Sequence, residues 1–578
     1  MQELQTVHSF ALAGTLVIAS GGGCARGVVG PPEPIGITVA EASRFLTRAT
    51  YGPSPDGVDE LRATGYSAWI DAQIATEPSL LAPALLEIGC SIVQPEFDGY
   101  DECDFIDPHI SALDLTWWEH SVYGDDQLRQ RVALALSEIL VVSFNNAVLA
   151  EFPVLLADYY DTLAVGAFGS YRDLLEDVTL HPAMGIYLSM LGNRKLDPIA
   201  GTRPDENYAR ELMQLFSIGL VRLDATGVPL LDTDGATIPT YDQDDIEELA
   251  RVLTGWTFGT PDPKTSSLEE FQNVEPLMAP MEPWPAFHDD GSKLVLDDVF
   301  VPAGLAPEDE LDLVLDALAS HPNVAPFMSR QLIQRLVTSN PSPDYVARVV
   351  AVWNDDGTGT SGNLARVVRA ILLDQEALDG TQARPEFGKV REPLLRATAL
   401  WRAFEAWPID DIEAPAVFEE FDGLEAVGQK ALYAPSVFNF FSPSYSTTEL
   451  AGQGLVGPEL QISTHATLTQ QADFLQSLIF GNNSVVLESG GLEMLDPALP
   501  VLEIEPLLDL AADVEVLVEW IDQRLFGGTM STPTRDGLSS LLEGIGLEED
   551  EEGTPPGLER VLVALSTAVS TPDYLVQK

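Results

Sequence analysis

Asp205–Ile218 reads DENYARELMQLFSI, and its spacing sets the fold class. Tyr208, Leu212, Leu215 and Phe216 recur at three- and four-residue intervals, so one face of a helix is apolar. Gly219 follows where a left-handed helix stop belongs. The same style runs outward in both directions. Asp125–Val142 (DDQLRQRVALALSEILVV) places Leu128, Val132, Leu136 and Ile139 on one face. Thr38-x-x-Glu41 is a capping box ahead of Ala42, Phe45, Leu46 and Ala49. Thr240-x-x-Gln243 reads as the cap of a helix through Leu253, closed by Gly255. Further helices are predicted over 308–319, 322–338, 343–353, 363–374, 389–405, 462–480, 513–525 and 557–569.

Strand signal is sparse. Val221–Thr240 has short apolar stretches between Asp-Ala-Thr-Gly and Asp-Thr-Asp-Gly turns, which predicts a β-hairpin inserted between two helices. Residues 258–303 and 482–512 read as long ordered loops with short strands at most, and Glu548–Glu552 as a solvated charge run. The expected fold is mostly α: a large multi-helix globular domain with a small inserted β-hairpin. With no clean linker after residue 38, the expectation is one domain over 38–578, with room for two lobes.

The chain has 578 residues, with 90 Asp and Glu against 30 Lys and Arg, a formal charge of −60. Such a field repels phosphate backbones and anionic membrane surfaces, so nucleic acid is not an expected partner. Only six of the cations are lysines. Acid-rich, lysine-poor surfaces suit a salty medium, where screening removes much of the self-repulsion. Cys24, Cys90 and Cys103 are too few for a disulfide framework or a zinc ribbon. Cys90 and Cys103 share one polar stretch, and whether they pair is left open.

Phe10–Ser20 (FALAGTLVIAS) is an apolar core of signal-peptide length, followed by Gly21-Gly22-Gly23-Cys24. The expectation is an export signal over 1–24, with Cys24 as a lipoprotein-type lipidation site. Residues 25–37, rich in Gly and Pro, read as a tether. Membrane attachment is expected only through that N-terminal anchor, and the mature protein in the periplasm or cell envelope.

Three motifs are weighed and set aside. Gly357-Thr-Gly359-Thr-Ser-Gly362 fits a dinucleotide pattern, but the segment before it is helical by period, where the motif needs a strand. Asp232-Thr-Asp234-Gly235 opens like a calcium loop, but the twelfth position is Gln243 rather than glutamate. The seven histidines include no i, i+4 zinc pair and no HExxH, and there is no GxSxG elbow. No cofactor and no metal are expected.

The richest polar cluster is Glu206, Asn207, Arg210, Glu211 and Gln214. It reads either as a helix surface laced with i, i+4 pairs or as a carboxylate–amide–guanidinium face lining a cleft. Phe287-His288-Asp-Asp-Gly-Ser-Lys293 is a second polar cluster, in a long loop. The candidate site is therefore Glu206, Asn207, Arg210, Glu211, His288 and Lys293. It is expected to join the signature helix, the helix after Gln243 and the 287–293 loop.

Pro204–Gly219 closely resembles the signature of the bacterial domain-of-unknown-function 1800 family. So do Ile246–Trp256 (IEELARVLTGW), His288–Lys293, Ala434–Pro443 (APSVFNFFSP), Ala42–Ile74 and Thr571–Gln577. The resemblance implies an exported bacterial protein. It also implies a partner: an exported, sulfatase-like protein of the domain-of-unknown-function 1501 family. It supplies no reaction and no catalytic residues. Two functions stay open at this point. One is a binding or scaffold protein of the cell envelope; the other is an exported hydrolase with a carboxylate-based site.

Overall fold

The computed structural model describes residues 36–92, 110–259, 275–296, 298–380, 384–406, 427–489, 501–547 and 555–578. The export signal, Cys24, Cys103 and the 548–552 acidic run lie outside them. The predicted capping box is present. Thr38 Oγ1 accepts from Glu41 N at 3.2 Å, and Glu41 Oε2 accepts from Thr38 N at 2.8 Å, starting the Val39–Ala49 helix. Helices dominate from there to Leu575. They bury one continuous apolar core, in which distant segments meet: Trp118 and Trp401 touch edge to face at 4.8 Å between ring centroids. From Ile35 onward the chain is one compact unit.

Strands are short. The ladders are Trp256–Thr257 with Glu282–Pro283, Lys293–Val295 with Val299–Val301, and Lys389–Val390 with Val576–Gln577, all antiparallel. The expected 221–240 hairpin is instead a three-piece meander held by isolated bridges, Val221 to Pro239, Leu223 to Pro229 and Leu231 to Thr237. Its turns are Asx turns: Asp232 Oδ1 accepts from Asp234 N at 2.9 Å and from Ala236 N at 2.9 Å. The Gly357–Gly362 run joins the Pro343–Asn354 and Leu364–Leu373 helices.

Several boundaries differ from the expectation: the helix expected over 389–405 starts only at Pro393, after the Lys389–Val390 strand, and the one expected over 462–480 spans His465–Ser489, into the stretch read as a loop. The cap of the Gln243–Val252 helix is Asp242, whose side chain accepts from Asp244 N at 2.8 Å. Thr240 is committed elsewhere, because its hydroxyl donates to the Gly219 carbonyl at the end of the signature helix. The Asp125–Val142 run is helical only over Gln127–Ser137. Beyond it the chain is claimed by the 432–434 segment: Phe144 N donates to Leu432 O at 2.8 Å and Ser143 Oγ to Ala434 O at 2.6 Å.

Candidate functional site

The signature helix, Asn207–Gln214, divides the predicted polar cluster in two. Tyr208, Leu212 and Phe216 are buried, as the periodicity requires, and the Tyr208 hydroxyl donates to Thr179 Oγ1 at 2.7 Å. Leu215, expected in the core, is only partly buried. Glu206, Asn207 and Arg210 remain at the surface, where Arg210 pairs with Glu206 at 3.1 Å and Gln243 Nε2 donates to Glu206 Oε2 at 2.9 Å. Glu211 is buried and its Oε2 has no hydrogen-bond partner among the described residues. Burial pushes its carboxyl above the ordinary value, with Arg210 opposing.

The 287–293 loop does not bring His288 and Lys293 to Glu211. Both meet Glu310, on the Pro307–Ser320 helix. Lys293 Nζ lies 2.6 Å from Glu310 Oε2 and also donates to the carbonyls of Asp289 (2.5 Å) and Gly291 (3.0 Å), so all three of its hydrogens are used. His288 Nε2 is 3.3 Å from the same carboxylate oxygen. Nδ1 faces the Thr254 carbonyl at 2.8 Å and must be the donor there. All three side chains are buried. Gly255 makes the close approach possible: its φ is +79°, and a Cβ would stand 2.7 Å from His288 N. The Gln243–Val252 helix is the bridge between the two halves. Gln243 ties it to the signature helix, and Arg251 grips Asp289 through Nε (3.1 Å) and Nη2 (3.0 Å).

A different place gathers the family-like segments around open space. A cavity of about 480 Å³ lies between the end of the signature helix (Gln214, Leu215), the meander (Leu220, Leu223, Pro229), the Val324–Leu336 helix and Val437–Ser444. Gly219 stands against one wall, the Phe327 ring. The glycine is left-handed, with φ +67°, and a Cβ there would stand 2.6 Å from that ring. Part of the cavity's lip is apolar and wet: Leu220 is 57% exposed and Phe438 56%. Apolar surface gathered like this marks an interaction site more often than scattered single residues do.

The polar end of the cavity is ionic. Glu138 Oε2 lies 3.1 Å from Arg335 Nε, and Arg335 also sits over the Phe441 ring. Behind it, Gln429 Nε2 donates to Glu138 Oε1 (3.1 Å) and to Glu392 Oε2 (2.7 Å). Lys389 Nζ then lies 3.0 Å from both Glu392 and Glu459. Of the two carboxyls bridged by Gln429, Glu138 is the one pushed up, by burial and then by the charge of Glu392, even with Arg335 opposite. Burial also works against ionised Glu392, but Lys389 and its hydrogen bonds more than offset that and hold it below its ordinary value. Glu459 is raised, again by burial first. The cavity thus offers apolar walls, a guanidinium, amides and a carboxyl whose ionisation burial opposes.

The sequence reading missed Glu138, Glu310, Arg330 and Arg335. The one available signal was Glu138 itself, a lone carboxylate inside VALALSEILVV. A charge in such a run is either exposed or paired at depth, and the run leaves no exposed face for it. No curated protein and no solved structure matches the chain. A family model does, over residues 44–576, and the chain belongs to the family described as Protein of unknown function (DUF1800).

Proposed function

We propose that the chain is an exported binding protein of the cell envelope, tethered through Cys24, with the lipped cavity as its binding face. The observation that carries binding is the cavity: concave, apolar-walled, with a few polar groups converging at one end. Export rests on the apolar Phe10–Ser20 core ahead of Gly-Gly-Gly-Cys24. The partner that the family resemblance suggests is an exported protein of the sulfatase-like domain-of-unknown-function 1501 family. Two experiments test this. Cys24→Ser should release the protein from the membrane fraction; a wild type already soluble in the cytoplasm, with Met1 intact, would refute the tether. Wild-type protein pulled from its native envelope should bring a partner that Phe438→Asp does not. Equal recovery by both proteins removes the lip from the binding face.

The second reading is an exported hydrolase. What favours it is Glu138, a cavity-wall carboxyl that burial pushes upward, the direction a general acid needs. Loss of hydrolysis of a co-purifying polymer in Glu138→Gln, with partner recovery intact, would decide for it.

A further inference from the structure

We infer that the cavity receives an aliphatic carboxylic acid, with Arg330 as the counter-ion of its carboxylate. This rests on the reading of the cavity as the binding face. Arg330 lines the cavity from the Val324–Leu336 helix, one turn before Gln334. Its only hydrogen bond among the described residues runs from Nη1 to the Gly227 carbonyl, at 3.3 Å. It has no ion pair among them, and burial alone shifts its guanidinium, downward, with no carboxylate near enough to restore it.

Arg330 shares its lack of an ion pair with other arginines of the described residues, Arg129, Arg131 and Arg391 among them, and differs from these three in lining a cavity. Carboxylates outnumber cations by 90 to 30. Arg335, five residues on, has Glu138 opposite it. Arg251 holds two carboxylates and Arg172 holds three. Of the buried arginines without an ion pair, Arg129 spends its hydrogens on the fold, donating to the carbonyls of Ala164, Ile74 and Thr76, while Arg131 makes one hydrogen bond among the described residues, to the Arg335 carbonyl, and is sealed away from open volume at 0% exposure. Arg330 is partly buried, faces open volume, and keeps most of its donors unspent. A desolvated cation without a partner is costly, and the cost disappears when an anion arrives. The planar fork fits a carboxylate through two parallel hydrogen bonds.

The rest of the ligand follows from the walls. Leu215, Leu223, Phe327 and Val437 are apolar, and the exposed Leu220 and Phe438 continue that surface to the mouth. They match an aliphatic chain. A volume of about 480 Å³ lies in the range of small-molecule sites.

The test is a titration of the full chain with dodecanoate, dodecanol and dodecyltrimethylammonium, which share a body and differ in head charge. Dodecanoate should bind at least about tenfold more tightly than dodecanol, and the ammonium more weakly than both. Arg330→Gln should bring dodecanoate down to the dodecanol level with the melting temperature nearly unchanged. Arg330→Lys, which keeps the charge, should retain part of the preference even if the glutamine variant does not fold. Equal binding of acid and alcohol, or no dodecanoate binding, overturns the inference. So does a peptide with a free C-terminal leucine that binds more tightly than dodecanoate, since the occupant is then a polypeptide end. Failure here with partner recovery still lost in Phe438→Asp leaves the binding face standing. Loss of that lip effect with the acid preference intact removes only the partner reading.

Discussion

Two buried ionic clusters in this molecule are built from the same chemistry and differ in what they face. The Lys293–Glu310–His288 cluster is closed around the lysine: each of its hydrogens is used, and the histidine lies between a carbonyl and a carboxylate, with Glu310 Oε1 and His288 Nε2 making no hydrogen bond among the described residues. The Glu138–Arg335 pair joins a similar chain, through Gln429 to Glu392, Lys389 and Glu459, and its first members line the lipped cavity. The closed cluster fixes a loop against two helices. The open one holds a guanidinium and a carboxyl where a ligand can reach them. Burial and pairing mark both, and both border open volume, since Lys293 lines a cavity of about 460 Å³; what separates them is the wall, mostly acidic side chains around Lys293 and largely apolar ones around Glu138 and Arg335.

Breaking the closed cluster should have the largest effect. We predict that Lys293→Met costs about 3–5 kcal/mol in chemical denaturation, because Glu310 is left buried without its cation. A loss below about 1 kcal/mol would show that the cluster is hydrated and not closed.

The next effect is pH dependence. Asp161 accepts from Leu81 N (2.6 Å) and Ala82 N (2.8 Å), yet burial raises its carboxyl to about 7. Glu138, Glu459 and Glu211 are raised as well, burial again leading in each. A carboxyl with a raised folded pKa favours the folded state when protonated, and that contribution is lost as pH rises through the folded value. The melting temperature should therefore climb as pH falls from about 8 toward 5. Asp573, held at about 2 by hydrogen bonds and Lys578 against the cost of burial, gives stability that is lost only below the ordinary carboxylate range. A melting temperature that falls steadily from pH 8 to 5 contradicts these assignments.

A smaller change is expected in the open cluster. Glu138→Gln keeps an acceptor for Gln429 and puts an amide in place of a carboxyl whose ionisation burial opposes. It should cost less than half of Lys293→Met, about 1–2 kcal/mol, and should flatten the pH profile. A loss equal to Lys293→Met would put the two clusters in one class. The smallest effect belongs to the surface pair. Glu206→Ala, at the exposed Arg210 contact, should shift stability by about 0.5 kcal/mol or less.

The signature helix was legible because Tyr208, Leu212 and Phe216 share one periodic face, and Gly219 carries the left-handed stop. Joining the 287–293 loop to the Gln243–Val252 helix was also legible. Its partner was not: Glu310 sits in the first turn of a helix beside Glu308 and Asp309, and reads as ordinary acid at a helix N-terminus. Thr240 looked like a cap because its hydroxyl's use on Gly219 is a contact between segments. The cavity was invisible for the same reason. Its walls come from residues near 138, 215, 223, 330 and 438, which no local pattern connects.

The central claim is that the lipped cavity is the binding face. Its most direct test is a photo-crosslinking amino acid placed in native cells at position 438 or, as control, at 165. Phe438 and Val165 are equally exposed apolar residues, at 56% and 57%, but only Phe438 borders the cavity. Discrete cross-linked species from position 438 and none from 165 are the predicted result. Equal cross-linking from the two positions, or cross-linking from 165 alone, would contradict it.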